Sequence, residues 1–205
     1  RFRFDKHRHT YLVSHALLRG ALSQTTQVEP AQFAFNTNAY GKPFIVDPAQ
    51  HQAIHFNLSH TEGLAAVAIS RHTALGIDVE NRHRQDMTQT LAEHFFAPEE
   101  CHTVAQCSDE DRTITMLEFW TLKESYIKAV GQGLSIALDS FAFKLATATQ
   151  PAYLLRLDAQ GSDRNAWSFW QGQPTENHLM ALAFKSDTGQ PTQVRALRAQ
   201  WLAEA

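Results

Sequence analysis

The sequence predicts an α/β or α+β chain built as a sandwich of two lobes. Strand-like stretches of period two and helix-like stretches of period 3.6 are interleaved in both halves. The texture changes beyond Asn81, where polar NRHRQD separates one run of strands from a run of helices. At 205 residues the chain suits one large domain or two small lobes sharing a core.

Residues 11–22 place Leu12, Ala16 and Leu18 at helical spacing, so the basic RFRFDKHRH leads into a helix. AYGKP follows as a loop, with Gly and Pro one residue apart. IHFNLSH alternates Ile54, Phe56 and Leu58, and predicts a strand running into a polar turn. GLAAVAIS and LGIDVE predict two more strands joined through RHTA. MTQTLAEHFF has helical spacing of Met87, Leu91 and Phe95, and APEE is expected to break it. The strongest helix spans residues 109–130, with Ser108 as N-cap, Asp111 as first-turn acid and GQG as the stop. SFAFKLA, AYLLRL, WSFWQG, HLMALAF and TQVRALR are expected to be short strands. The boundary between lobes is expected near residues 71–82.

A hydrophobic content of 43% with 19% charge is that of a soluble globular chain, and a net charge of −3 does not suggest a general nucleic-acid or anionic-membrane binder. No apolar run approaches the roughly 20 residues of a membrane span. Cys101 and Cys107 are too few and too close to frame a disulfide scaffold, which suits a reducing, cytoplasmic setting. The 11 histidines are scattered without HExxH or CxxC companions, which disfavours a zinc site. The absence of GxSxG disfavours a serine hydrolase.

Chemistry concentrates in two stretches. On a strand, Asp78 and Glu80 of LGIDVE share one face, about 6–7 Å apart, and repel by roughly 2–3 kcal/mol at an effective dielectric near 20. A divalent cation relieves that repulsion, and hard carboxylate oxygens suit Mg²⁺. The competing reading is an edge strand with a wet, charged face. In FWTLKESYIKAVGQGL, Trp120, Glu124 and Lys128 stand at i, i+4 and i+8 and form one stripe. A carboxylate and an ammonium one turn apart can serve a metal and a phosphate. They also make an ordinary surface pair, though the tryptophan argues against full exposure. NLSH offers Ser59, His60 and turn amides as a phosphate cradle. YGKP holds Lys42 on a tight loop, and Arg1, Arg3, Lys6 and Arg8 add a basic end, which a solvated face would also explain.

GIDVE followed by WTLKESYIKAVGQGL, together with YGKP, FNLSH and FFAPEE, resembles the 4′-phosphopantetheinyl transferase family in its longer, monomeric, surfactin-synthetase-activating branch. The resemblance covers about residues 1–145. It implies a pseudo-dimer of two similar lobes, each a small sheet packed with a long helix. Residues 1–75 would bind the nucleotide of coenzyme A, and residues 76–205 would carry the metal site, catalytic helix and carrier docking. It implies a holo-carrier-protein synthase. By that resemblance, the phosphopantetheine arm of coenzyme A would pass to a serine of an apo acyl or peptidyl carrier protein, with Mg²⁺ assisting and adenosine 3′,5′-bisphosphate leaving. Asp78, Glu80 and Glu124 would hold the metal. Ser59 and His60 would meet the 3′-phosphate, Lys42 the nucleotide part, Lys128 the diphosphate and Arg8 the nucleotide end. Glu124, directly or through a water, would be the base. Lys123, about 100° around the helix from Glu124, is expected to face outward or toward a partner.

The carrier, acidic on the helix after its modified serine, is expected to dock at residues 81–106. Arg82, His83 and Arg84 are the candidate charges there, and Phe95 and Phe96 are expected in the core. Since the chain starts at Arg1 rather than Met, further basic contacts are expected upstream. The rival function is a Mg²⁺-dependent nucleotide or coenzyme A phosphohydrolase with no protein acceptor.

Overall fold

The computed structural model describes residues 5–48, 51–84, 86–158, 163–186 and 193–199. Helix α1 (Asp5–Thr26) buries Leu18 and Leu22, one turn apart, on strands β3 (His55–Thr61) and β4 (Leu64–Ser70). β3 and β4 form an antiparallel hairpin through Glu62 and Gly63. Gly63, at φ +84°, supplies the left-handed turn conformation that a side chain would resist. Phe33, Ile45, Ile54 and Phe56 complete this first core. Strands β1 (Ala34–Thr37) and β2 (Pro43–Asp47) pair around the AYGKP loop, where Asn38 Oδ1 accepts from the amides of Tyr40 and Lys42.

Strand β5 (Leu75–Asn81) leaves the hairpin and pairs antiparallel with the distant β9 (His178–Lys185). β9 in turn pairs with β8 (Trp167–Thr175), giving the order β5-β9-β8. Between them run α2 (Gln89–Phe95), α3 (Pro98–Ala105), α4 (Asp109–Val130) and the hairpin β6 (Phe141–Lys144) with β7 (Tyr153–Leu157). Helix α4 is the axis of the larger core. From Met116 to Ala129 it buries Leu117, Phe119, Leu122, Tyr126 and Ile127 on several faces. It begins where expected, with Ser108 accepting from Asp111 N, and ends at Gly131 with φ +80°. The result is mixed α/β. Two 22-residue helices, α1 and α4, each lie on a small antiparallel sheet.

Three expectations are corrected. APEE does not merely end a helix: Pro98 stands in the first turn of α3, and Glu100 reaches back to accept from Ala97 N. In TQVRALR, whose Thr192 lies outside the described residues, no strand forms: residues 193–199 carry no regular structure. Lys123 faces neither solvent nor partner. It is fully buried, with Nζ 2.8 Å from Glu100 Oε2, donating to Leu138 O and Phe141 O and standing 4.4 Å from the centre of the Phe141 ring. The 100° turn away from Glu124 points it into the core rather than out of it. Glu100 is as deeply buried and also accepts from Phe143 N. Burial pushes the lysine down and the glutamate up, toward their neutral forms. Phe96 is buried against Phe119, and Phe95 packs edge-on to Trp120 at the core margin, as the core expectation requires.

Removing one member of a buried ion pair strands the other. Lys123→Met is therefore expected to lower stability by about 3–5 kcal/mol in urea unfolding. Adding Glu100→Gln to it is expected to cost less than about 1 kcal/mol more, because the pair acts as one unit. A single substitution without measurable cost contradicts the structural role.

Candidate active site

The site exists because α4 lies directly on β5. A Cβ built on Gly76 would fall 2.2 Å from Ser125 O and 2.3 Å from Ala129 N, so only glycine allows this approach. Strand alternation then turns Asp78 and Glu80 to the same helix-facing side. The strand and helix run in opposite senses, so Lys128 meets Asp78 and Trp120 meets Glu80. The stripe read from the sequence faces the acid pair.

Asp78 is 4% exposed, which removes the reading of a wet charged face. Its Oδ1 accepts from Lys128 Nζ at 2.5 Å and from Ser59 Oγ at 3.0 Å. Ser59 Oγ also accepts from Val79 N and from Lys128 Nζ, both at 3.3 Å. Asp78 Oδ2 is buried without a partner among the described residues. Burial pushes the Asp78 carboxyl above the usual carboxylate range, against the pull of Lys128, Ser59 and the Val79 amide.

Glu80 is raised to about 7 by burial and by the Asp78 charge; Arg84, Lys128 and the Trp120 indole N–H partly offset this. Arg84 Nη1 lies 2.5 Å from Glu80 Oε1. Glu124 is raised by burial and by Asp78, against Lys128 and Arg84, and makes no hydrogen bond among the described residues.

The first half reaches the site through side chains. Among the described residues, the edge of β5 away from β9 is not paired with another strand. Its Ile77 N–H donates to Asn57 Oδ1 at 2.8 Å, and Val79 N–H to Ser59 Oγ. Lys42 Nζ donates to Leu75 O and to Ala129 O, each at 3.0 Å, and burial lowers it to about 8. Asn38 Nδ2 donates to Gly131 O at 2.8 Å. Beside these ties opens a recess of about 180 Å³, lined by Tyr40, Lys42, Asn57, Lys128 and Gly133 among others.

Asp78, Glu80, Glu124, Lys128 and Ser59 are thus brought together, and Lys42 lies at the rim of the same region. Ser59 and His60 do not form a joint cradle. Both lie within β3, so they point to opposite faces, Ser59 buried and His60 exposed. Arg8 is exposed on α1, and no hydrogen bond or ion pair joins it to the acids. Arg1, Arg3 and the Lys6 side chain lie outside the described residues. Arg84 is engaged inward with Glu80 and not free for a partner. Gly76, Asn57 and the Arg84–Glu80 pair were not anticipated. A glycine opening a strand that carries two carboxylates was the one signal available for the first.

The three-acid clasp is not closed. Among the described residues, no three His, Cys, Asp or Glu side chains are arranged to hold a metal ion; Lys128 pairs with Asp78 and Arg84 with Glu80. The donor set nevertheless suits a hard divalent cation. It offers carboxylate oxygens, one of them buried and unpartnered, and each neighbouring acid is made harder to ionise by the Asp78 charge.

A family model described as the 4′-phosphopantetheinyl transferase superfamily matches residues 74–183, and one described as 4′-phosphopantetheinyl transferase, N-terminal, matches residues 1–72. The chain is 32% identical over 191 residues to the 4′-phosphopantetheinyl transferase HetI of Nostoc sp., covering 93% of this chain and 77% of that protein. It is 36% identical over 130 residues to the 4′-phosphopantetheinyl transferase gsp of Aneurinibacillus migulanus, covering 63% of this chain and 52% of that protein. With Sfp of Bacillus subtilis the identity is 32% over 145 residues, or 71% of this chain and 62% of that protein. A solved holo-(acyl-carrier-protein) synthase from Bacillus anthracis in complex with CoA (3′,5′-ADP) aligns with a TM-score of 0.46 at 15% identity, over 55% of this chain and 96% of that chain.

Two outcomes follow from the geometry. Gly76→Ala should displace α4 from β5 and destabilise the fold by about 1–3 kcal/mol or more in denaturant unfolding, the usual cost of overpacking. Native stability in that variant contradicts the contact. Glu80 holds its proton to about pH 7 in the folded chain, but only to its ordinary value of 4.5 when unfolded. Its contribution to stability is therefore full below 4.5 and lost as pH rises toward 7. Glu80→Gln should flatten that decline in metal-free buffer; an unchanged profile contradicts the shift.

Proposed function

Because the chain belongs to the 4′-phosphopantetheinyl transferase superfamily, we propose that it moves the 4′-phosphopantetheine arm of coenzyme A onto a serine of an apo carrier protein, with Mg²⁺. The other product is adenosine 3′,5′-bisphosphate. The observation that carries this reading is the buried Asp78 beneath Lys128, flanked by Glu80 and Glu124 and beside an open recess. Asp78, Glu80 and Glu124 are the residues that would hold the cation. Bound there, Mg²⁺ would supply positive charge to the diphosphate oxygens.

The chain's own residues supply the rest. The Lys128 side chain is 28% exposed, so its ammonium can exchange Asp78 for a diphosphate oxygen without leaving the site. Lys42, on the recess wall, adds a second positive charge near the nucleotide part. His60, exposed on β3, is assigned to the 3′-phosphate and Arg8 to the nucleotide end. Ser59 serves chiefly to hold Asp78 in place. Glu124, raised and without a hydrogen-bond partner among the described residues, is the residue assigned to take the proton of the incoming serine hydroxyl. The serine oxygen forms a bond to the β-phosphorus as the bridging oxygen leaves with the bisphosphate.

The halves assigned to nucleotide and catalysis are residues 1–75 and 76–205, working as a monomer. Arg82 and His83 lie on the loop leading from the acids, where an acidic carrier helix is placed. Among the described residues no helix is long and apolar enough to cross a membrane. A cytoplasmic setting is assigned on Cys101 and Cys107, whose free thiols suit a reducing compartment.

Incubation with coenzyme A, Mg²⁺ and apo carriers of fatty-acid and peptide-synthetase type should add one phosphopantetheine to the carrier by mass spectrometry. Cleavage of coenzyme A with the carrier mass unchanged would instead support a phosphohydrolase. Glu124→Ala should lower transfer by two or more orders of magnitude, within the roughly 10²–10⁴ range of a lost acid–base group, and Asp78→Ala should lower it as strongly through loss of a cation-holding carboxylate. Near-native transfer in either variant removes that residue from the mechanism.

A further inference from the structure

Arg84 is held from three sides. Its Nη1 lies 2.5 Å from Glu80 Oε1, and its Nε and Nη2 meet the two oxygens of Asp86 at 2.5 and 3.1 Å. Its guanidinium carbon stands 5.4 Å from the centre of the Trp120 ring, the same ring whose indole serves Glu80. The Arg84 side chain is 24% exposed, Glu80 13% and Asp86 67%. The arginine is therefore a bridge from a wet acid to a nearly dry one.

We propose that Arg84 is the resident counter-ion of Glu80 and competes with the divalent cation for that carboxylate, so that this guanidinium sets how tightly the acidic face takes a metal. The inference rests on the reading that Asp78, Glu80 and Glu124 hold the cation. A half-buried carboxylate beside Asp78 gains from a positive partner, and in this structure Arg84 is that partner. A guanidinium does not release the site by losing its proton, as a lysine can. It must move.

Asp86 makes that movement local. Its fork to Nε and Nη2 can persist while Nη1 lets Glu80 go, because the two acids use different nitrogens. Lys128 on Asp78 is a different case. It lines the recess, where a diphosphate can draw it off. Arg84 is not among the recess-lining residues, so a phosphate ligand gives no help and the cation alone must displace it. Arg84 is thus a positioning residue that acts through Glu80.

The test is Mn²⁺ binding by electron paramagnetic resonance without coenzyme A, on the full chain, with melting curves to verify that each variant is folded. Arg84→Gln should bind Mn²⁺ about fivefold tighter or more, the lower range of coupling between competing ligands. Arg84→Lys should fall between wild type and Arg84→Gln, since an ammonium cannot span both acids as the fork does. Arg82→Gln removes the same charge from a residue that donates to Glu176 O rather than to Glu80. It should change Mn²⁺ affinity less than about twofold, as expected of a screened charge bonded away from the acids. Affinity unchanged or weakened in Arg84→Gln overturns the proposal, as does an equal gain in Arg82→Gln, which would mean a general field effect. Glu80→Gln separates the two levels. If it loses Mn²⁺ while Arg84→Gln matches wild type, only the competition fails; if it binds Mn²⁺ like wild type, the three-acid reading fails and takes the proposal with it.

Discussion

The approach of α4 to the backbone of β5 at Gly76 is the constraint on which the rest of the molecule depends. Once a helix lies that close, any charged side chain on the covered strand face is removed from water, and Asp78 is on that face. A buried carboxylate is costly unless it is paired and hydrogen-bonded. Lys128, Ser59 and the amide held by Ser59 all answer that requirement. One oxygen is left over. The residue types along the helix stripe follow from the same contact, because whatever faces the acids must carry positive charge, donate a hydrogen bond, or add a ligand. Lys128, Trp120 and Glu124 are those three answers.

A second consequence concerns how the halves are joined. A strand ladder between β3 and β5 would satisfy the open edge, but would leave Asn57 and Ser59 no contact with it. Side-chain oxygens take the ladder's place, and Lys42 and Asn38 bind the end of α4 from the β1–β2 loop. The junction is therefore polar and short-range, while the larger core beneath it is apolar and pinned by the Lys123–Glu100 pair. Net hydrogen bonds of this kind are worth only about 0.5–1.5 kcal/mol each. The site sits where the fold is held by specific contacts rather than by bulk burial.

The legible parts of the sequence were those governed by period and by local chemistry. LGIDVE alternates, so the shared face of Asp78 and Glu80 could be read directly. Ser108 and Gly131 mark the ends of α4, and both do so by local hydrogen bonds or backbone conformation. What escaped depended on distant partners. Lys123 looks like any helix-surface lysine until β6 and α3 close over it. Glu100 looks like a first-turn acid until Phe143 N is found beside it. TQVRALR alternates as a strand would, yet alternation creates no strand without an edge to join. The same limit applies to the site itself. The sequence placed three acids and a lysine near one another, but not that Lys128 and Arg84 already neutralise two of those acids.

That self-neutralisation bears on how a chain of net charge −3 can receive a polyanion. The two lysines assigned to the diphosphate and the nucleotide part, Lys128 and Lys42, are not displayed on the open surface, where salt would screen them. Lys128 is held at the edge of a low-dielectric region by an acid that itself needs a counter-charge. On the proposed reading, a divalent cation and a diphosphate would together meet both needs, since Asp78 would face the metal while Lys128 faces a phosphate oxygen. A cation alone leaves Lys128 without its acid, and a diphosphate alone leaves Asp78 buried without its ammonium. The buried position of Asp78 would thus couple the two proposed ligands, which a surface acid in high dielectric could not do.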